Sequence, residues 1–137
     1  MTEKNKQLAL KFLKAMGEGD KASAAECIAD DTFTLAKGFG KFAGVRHHDT
    51  ILATIASFKK LMPEGMKPDI HSVIAEGEKV AIEFTGNGKL INGEQYSNEY
   101  CMIFTIRDDR IRQVDEYFCT ILADTVLFPL IAEEGLA

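Results

Sequence analysis

In the run Val114-Asp115-Glu116-Tyr117-Phe118, strand alternation puts Glu116 on the face of Val114 and Phe118, with Asp115 and Tyr117 on the other. The preceding strand-like stretch, 95–107, has one largely apolar face (Tyr96, Asn98, Tyr100, Met102, Phe104, Ile106) and one mixed face (Ser97, Glu99, Cys101, Ile103, Thr105, Arg107). A plain two-residue turn at Asp108-Asp109 would pair Arg107 with Arg110 and set Met102 on the face of Asp115, mismatching the apolar sides. One extra, left-handed residue in the turn, Asp109, sets Phe104 opposite Val114 and Met102 opposite Glu116. Glu116 is then flanked by Val114, Phe118 and Met102, with Tyr100 and Phe104 on the diagonals.

An unpartnered ionised carboxylate out of water costs at least several kcal/mol, so such a group protonates, finds donors or lines a wet cavity. Each of these suits an acid or base whose pKa is drawn toward neutrality. Tyr100 and Asn98 are the polar groups on the same face that could orient a substrate or steady charge on oxygen. In the purely structural alternative, Glu116 anchors the open end of the sheet on a backbone amide or a Tyr hydroxyl.

Other chemistry-bearing residues are less defined. With a plain Asn92-Gly93 hairpin Glu83 faces Met102 and joins Glu116 on one face; a bulge at Gly86 or Gly88 instead turns Val80, Ile82 and Phe84 inward and Glu83 outward, the reading adopted here. His71, among Ile70, Ser72 and Val73, is carried as a candidate pocket residue. His47 and His48, beside Arg46 and Asp49 at a helix start, read as solvated, and no metal-ligand spacing is found. Cys27, Cys101 and Cys119, odd in number and widely spaced, read as reduced thiols that pack as small apolar groups, which points to the cytoplasm.

The elements that must position these residues follow from periodicity. Leu8, Phe12, Leu13 and Met16 mark an amphipathic helix over 4–16, stopped by Gly17 and Gly19. Asp20 caps a short second helix with Ala22, Ala25 and Ile28 inward, and Thr32-Phe33-Thr34-Leu35 is a short strand. Residues 37–46 read as a loop, and Asp49 opens a helix carrying Ile51, Ile55, Phe58 and Met62 that Pro63 ends. Strands then occupy about 68–76, 79–90, 95–107 and 110–119. The order α-α-β-α-β-β-β-β predicts an α+β fold, a curved antiparallel sheet with three helices on one face. The apolar tail from Ile121 to Ile131, broken by Pro129, is left to cap its own domain or a partner's.

At 137 residues and 46% hydrophobic content the chain is sized for a single domain, 1–137, with its own core. A net charge of −5 without clustered Lys or Arg argues against nucleic acid and anionic membranes as partners. The N-terminal run from Met1 to Lys6, leading to Lys11 and Lys14, lacks a signal-peptide pattern, and no segment is long and apolar enough to span a bilayer.

Phe39-Gly40 with Gly44-Val45 before a helix, Gly86-Asn87-Gly88, Tyr96-Ser97-Asn98-Glu99-Tyr100, and Asp109-Arg110-Ile111 with Asp115-Glu116-Tyr117-Phe118 resemble the ketosteroid-isomerase-like, or nuclear-transport-factor-2-like, superfamily, nearest its SnoaL-like polyketide-cyclase branch. The likeness covers nearly the whole chain. It implies a cone of curved sheet closed by helices, a deep ligand cavity, and usually a homodimer through the outer sheet face that would cover Cys101, Ile103 and Cys119. The steroid-isomerase groups would fall at Phe12, Ala36 and Met102, where the required side chains are missing. The limonene-epoxide-hydrolase branch shares an acid at Glu116, but its Arg and second Asp would fall on Phe84 and Gly86, or Ala81 and Glu83. The phenazine-biosynthesis branch shares the surroundings of Asn98 and Glu116, while its helix histidine falls at Thr54. In SnoaL-like cyclases an acid near this strand end takes a proton from carbon next to a carbonyl, without cofactor or metal.

The resulting expectation is a cofactor-independent isomerase, cyclase or hydrolase acting on a small, largely apolar molecule. Glu116, Tyr100 and Asn98 would do the chemistry, and Phe12, Met16, Phe58, Phe84, Met102, Phe104, Val114, Phe118 and His71 would hold the ligand. The alternatives are a binding module without turnover and a dimeric scaffold whose cavity is filled.

Overall fold

Apolar residues at helical spacing build α1 (Thr2–Glu18), which buries Ala9, Phe12, Leu13 and Ala15. Gly17 lets the helix lie directly on the main chain of Met66, where a Cβ would collide with the carbonyl. Asp20 caps α2 (Lys21–Ala25), accepting from the Ser23 amide at 3.1 Å. The short helix turns Ala24 inward and leaves Ala22 exposed, and Cys27 and Ile28 complete the buried edge. The computed structural model describes residues 2–133; Met1 and 134–137, within the single domain expected over 1–137, lie outside the described residues.

The remaining elements are β1 (Ile28–Ala36), β2 (Gly44–His47), α3 (His48–Leu61), β3 (Met66–Glu76), β4 (Lys79–Lys89), β5 (Gln95–Arg107) and β6 (Arg110–Phe118). A tail of α4 (Thr120–Leu122), a π-helical turn (Ala123–Leu127) and α5 (Phe128–Glu133) follows. The strands form one curved sheet in the order β2-β1-β6-β5-β4-β3. Sequential neighbours are antiparallel, as their short connections require, whereas β1 runs parallel to β6 because the two are far apart in sequence and no hairpin constrains them. The stretch expected to be all loop, 37–46, contributes most of β2, which pairs with β1 from Phe33–His47 to Ala36–Gly44. Among the described residues no helix is long and apolar enough to cross a membrane.

Register settles which side chains share the inner face, and both hairpins reach the expected facing by a different device. Asp108 and Asp109 form a plain two-residue turn, both left-handed at φ 53° and 60°, and Arg107 does pair with Arg110. The extra residue is inside the strand: Ile106 pairs with Ile111 but Thr105 with Gln113, so Arg112 is the bulge that restores Phe104–Val114 and Met102–Glu116. At the β4–β5 hairpin the ladder runs without a break from Lys79–Thr105 to Lys89–Gln95, and the expected strand bulge at Gly86 or Gly88 is absent. Left-handed Gly93 (φ 88°) closes a three-residue loop between Leu90 and Glu94 and supplies the offset there. Val80, Ile82 and Phe84 are accordingly buried, and exposed Glu83 sits opposite Cys101.

The inner face is filled unevenly. At one end α1 and α2 press Phe12, Leu13 and Ala24 onto Val80, Ile82, Met102, Phe104 and Val114, with Phe12 and Phe104 edge to face at 6.3 Å. At the other end α3 and the tail gather Leu61, Met62, Leu90, Tyr96, Leu127, Leu130 and Ile131 into a second cluster. The tail therefore covers its own domain.

Candidate active site

Between the two clusters a cavity of about 430 Å³ remains open. Its walls are mainly aromatic and aliphatic: Phe12 and Met16 from α1, Ile51, Ile55 and Phe58 from α3, Phe118 from β6, and Ala123, Leu127, Phe128 and Ile131 from the tail. Among the described residues Glu116 is the one carboxylate that lines the cavity. Its main-chain carbonyl accepts from the Lys37 amide at 2.9 Å, and β1 places Ala36 beside it, so the backbone at this point is fixed on both sides. Among the described residues no side chain or backbone amide hydrogen-bonds to its carboxylate, which removes the anchoring role considered from sequence. Desolvation raises its pKa from an ordinary 4.5 to about 7, partly opposed by the positive charge of Arg46.

Tyr100 lies diagonally across the ladder from Glu116, stacked on Phe84 at 5.0 Å and tilted against Phe118 at 5.7 Å. Its hydroxyl meets that of Tyr96 at 2.7 Å, and Asn98 Nδ2 donates to the Tyr96 oxygen at 2.8 Å. Either hydroxyl can donate to the other, and both tyrosines line the cavity, so the pair keeps one phenol proton to offer into it. Burial holds the Tyr100 pKa well above its usual value and raises that of Tyr96, so both remain proton donors at neutral pH. Asn98, Tyr96 and Tyr100 thus form one connected hydrogen-bond network at the cavity wall.

The residues expected to act are divided by this geometry. Glu116, Tyr100, Phe12, Met16, Phe58 and Phe118 line the cavity together. Asn98 does not: it is buried behind Tyr96, its other contacts being the Cys119 carbonyl at 3.1 Å and the Glu99 amide at 2.8 Å. Phe84, Met102, Phe104 and Val114 share the inner face but lie under the packed floor, because α1 fills that end of the cone. His71 is on the outer face, its Nε2 2.7 Å from Thr85 Oγ1, because β3 bulges between Ile70 and Ser72 and turns it away. His47 ends β2 and is exposed, and His48 bonds Asp49 at 2.8 Å.

Sequence reasoning missed Arg46, Lys41, Phe42, Thr34 and Tyr96, all of which line the cavity. Alternation alone puts Tyr96 on the face of Tyr100; Arg46 carried no signal, since four residues of edge strand are too short to show a period.

The chain belongs to the SnoaL-like domain family, whose model matches residues 9–114. Solved structures agree with the fold. PrhC from Penicillium brasilianum NBRC 6234 is similar over 98% of this chain and 93% of its own, at 18% identity and a TM-score of 0.84. A nuclear-transport-factor-2-like protein from Anabaena variabilis ATCC 29413 shares 20% identity over 86% and 89% of the two chains (TM-score 0.75), and one from Burkholderia xenovorans LB400 shares 22% over 89% and 94% (TM-score 0.69). No curated protein sequence matches the chain.

Proposed function

We propose that this protein is a cofactor-independent acid–base enzyme acting on a small, largely apolar molecule, an isomerase, cyclase or hydrolase of the SnoaL-like kind. The observation that carries the reading is a carboxylate, Glu116, standing without a hydrogen-bond partner among the described residues in the wall of a largely apolar cavity. In the proposed reaction ionised Glu116 takes a proton from carbon beside a carbonyl, and the Tyr100 hydroxyl donates to the oxygen that gains charge. Tyr96 and Asn98 position that hydroxyl rather than touch substrate. Protonated Glu116 returns the proton at the new position, so nothing but the substrate's own bonds changes.

Glu116→Gln tests the reading against a panel of enolisable carbonyl and epoxide compounds: turnover should fall by about 100-fold or more while ligand affinity persists. If Glu116 is the base in the rate-limiting step, kcat/KM rises with pH through about 7. Full turnover in Glu116→Gln would remove Glu116 as the base, whereas ligand binding with no turnover by the unaltered protein would leave the second reading, a binding module, which the aromatic lining favours.

The same reading places the protein in the cytoplasm, in keeping with three free thiols, and makes it a homodimer through the outer sheet face. There Ile74, Ala81 and Ile103 stand in register as an apolar stripe, Ile74 65% exposed and Tyr117 nearby at 44%. Sedimentation equilibrium with Ile74→Lys would expose a dependence on that stripe.

A further inference from the structure

Arg46 lines this cavity, and among the described residues no carboxylate is in contact with it. Across β1 it is in register with Thr34, and Thr34 with Val114, two residues before Glu116 on β6. Partners in register share a face, so Arg46 and Glu116 belong to the same inner surface, and both line the cavity. One guanidinium nitrogen donates to the Phe42 carbonyl at 3.1 Å; among the described residues no carboxylate pairs with Arg46 and its other N–H groups have no acceptor. A half-buried guanidinium so left is strongly disposed to take an anionic oxygen, and the fork of its donors suits a carboxylate. Glu116 does not fill that role, since the two side chains feel each other's charge without touching.

We infer that the cavity selects apolar, ring-bearing molecules that carry one anionic oxygen group, a carboxylate or an enolate, which Arg46 holds while the aromatic walls take the body. The inference rests on the proposed reading only in taking the cavity as the ligand site; it does not require turnover. It has a second consequence. The bound anion is a like charge for Glu116, so binding at neutral pH takes up a fraction of a proton on that carboxylate, the ionised remainder still being the base form. The other charged or titratable groups that line the cavity are Arg46 from β2, Lys41 from the preceding loop, and Tyr96 and Tyr100 from β5, whose burial keeps both phenols protonated.

The test is a calorimetric titration of naphthalene-2-carboxylate and of naphthalene-2-methanol into the full chain. The carboxylate should bind about tenfold more tightly or better, the usual worth of hydrogen bonds to a charged group. Arg46→Gln should abolish the preference while leaving the alcohol's affinity within about twofold, and Arg46→Lys should keep part of it. Equal affinities in the unaltered protein, a preference that survives Arg46→Gln, or no binding of either probe at millimolar concentration would each overturn the inference. Preference without proton uptake, read from buffers of different ionisation enthalpy, would overturn the coupling to Glu116. The two readings fail separately: loss of turnover in Glu116→Gln with no anion preference sinks this one alone, and intact preference with full turnover in that variant sinks the catalytic one alone.

Discussion

Folded Glu116 keeps its proton up to about pH 7, while in the unfolded chain it loses it near the ordinary 4.5. Between these values the native state binds more protons than the unfolded one, so stability is full below the lower value and falls as pH rises toward 7. At 1.36 kcal/mol per unit the loss is about 3 kcal/mol. Urea denaturation should show the unaltered protein weakening by roughly this amount between pH 5 and 8. Glu116→Gln should change far less over the same interval, and parallel profiles would mean a solvated carboxylate. Arg46→Gln removes the one charge that lowers the Glu116 pKa, so the carboxyl carbon followed by NMR should titrate higher in that variant. At this scale the sequence made Glu116 and Tyr100 legible, because a charged or phenolic side chain on an apolar strand face breaks a regular pattern. Arg46 was not legible: its place depends on pairing β2 to β1, a contact set by tertiary structure.

The hairpins carry the lesson at the scale of elements. The inner-face pattern Val80-Ile82-Phe84 and Met102-Phe104 demanded an offset of one residue in each hairpin, and the structure has both. Hydrophobic alternation reports that an extra residue exists but not where it sits, since a left-handed turn residue and a strand bulge shift the faces equally. Arg112 is therefore required for its backbone. Deleting it should turn Val114, Glu116 and Phe118 outward and cost more than about 4 kcal/mol or abolish folding. Arg112→Gly, which keeps the length, should cost only about 1 kcal/mol in thermal or chemical denaturation. Asp109, a non-glycine at φ 60°, is a second handle: Asp109→Gly should stabilise by about 0.5–1 kcal/mol, the exposed Lys4 ion pair it gives up being worth little.

For the molecule as a whole, the loop before β2 and the tail, two distant segments that both line the cavity, are held together by a clasp. The Asp124 carboxylate accepts from the Lys41 amide at 3.0 and 3.2 Å, the Phe42 and Phe128 rings meet at 6.2 Å, and Lys41 Nζ sits 4.9 Å over Phe128. Asp124→Ala should speed hydrogen exchange of the Lys41 amide by about tenfold and hasten ligand release, with global stability changed by less than about 1 kcal/mol. Unchanged exchange there would mean that aromatic packing alone holds the two segments together. The sequence showed that the tail was apolar enough to pack; which surface it met could not be read, because nothing local distinguishes a domain's own opening from a neighbour's.

The parallel pairing of β1 with β6 has a consequence in time. A strand made of residues 28–36 finds its partner on one side in β2, at once, and on the other only in residues 110–118. During synthesis the first third of the chain must wait for almost the whole of the rest before its sheet exists, and loop closure over that span precedes any return in contacts. The wall that carries Glu116 cannot form before residues 110–118 are made, and a nascent chain halted before β6 would hold two separate pieces of sheet, β1–β2 and β3–β4–β5, each with an edge that β6 should fill.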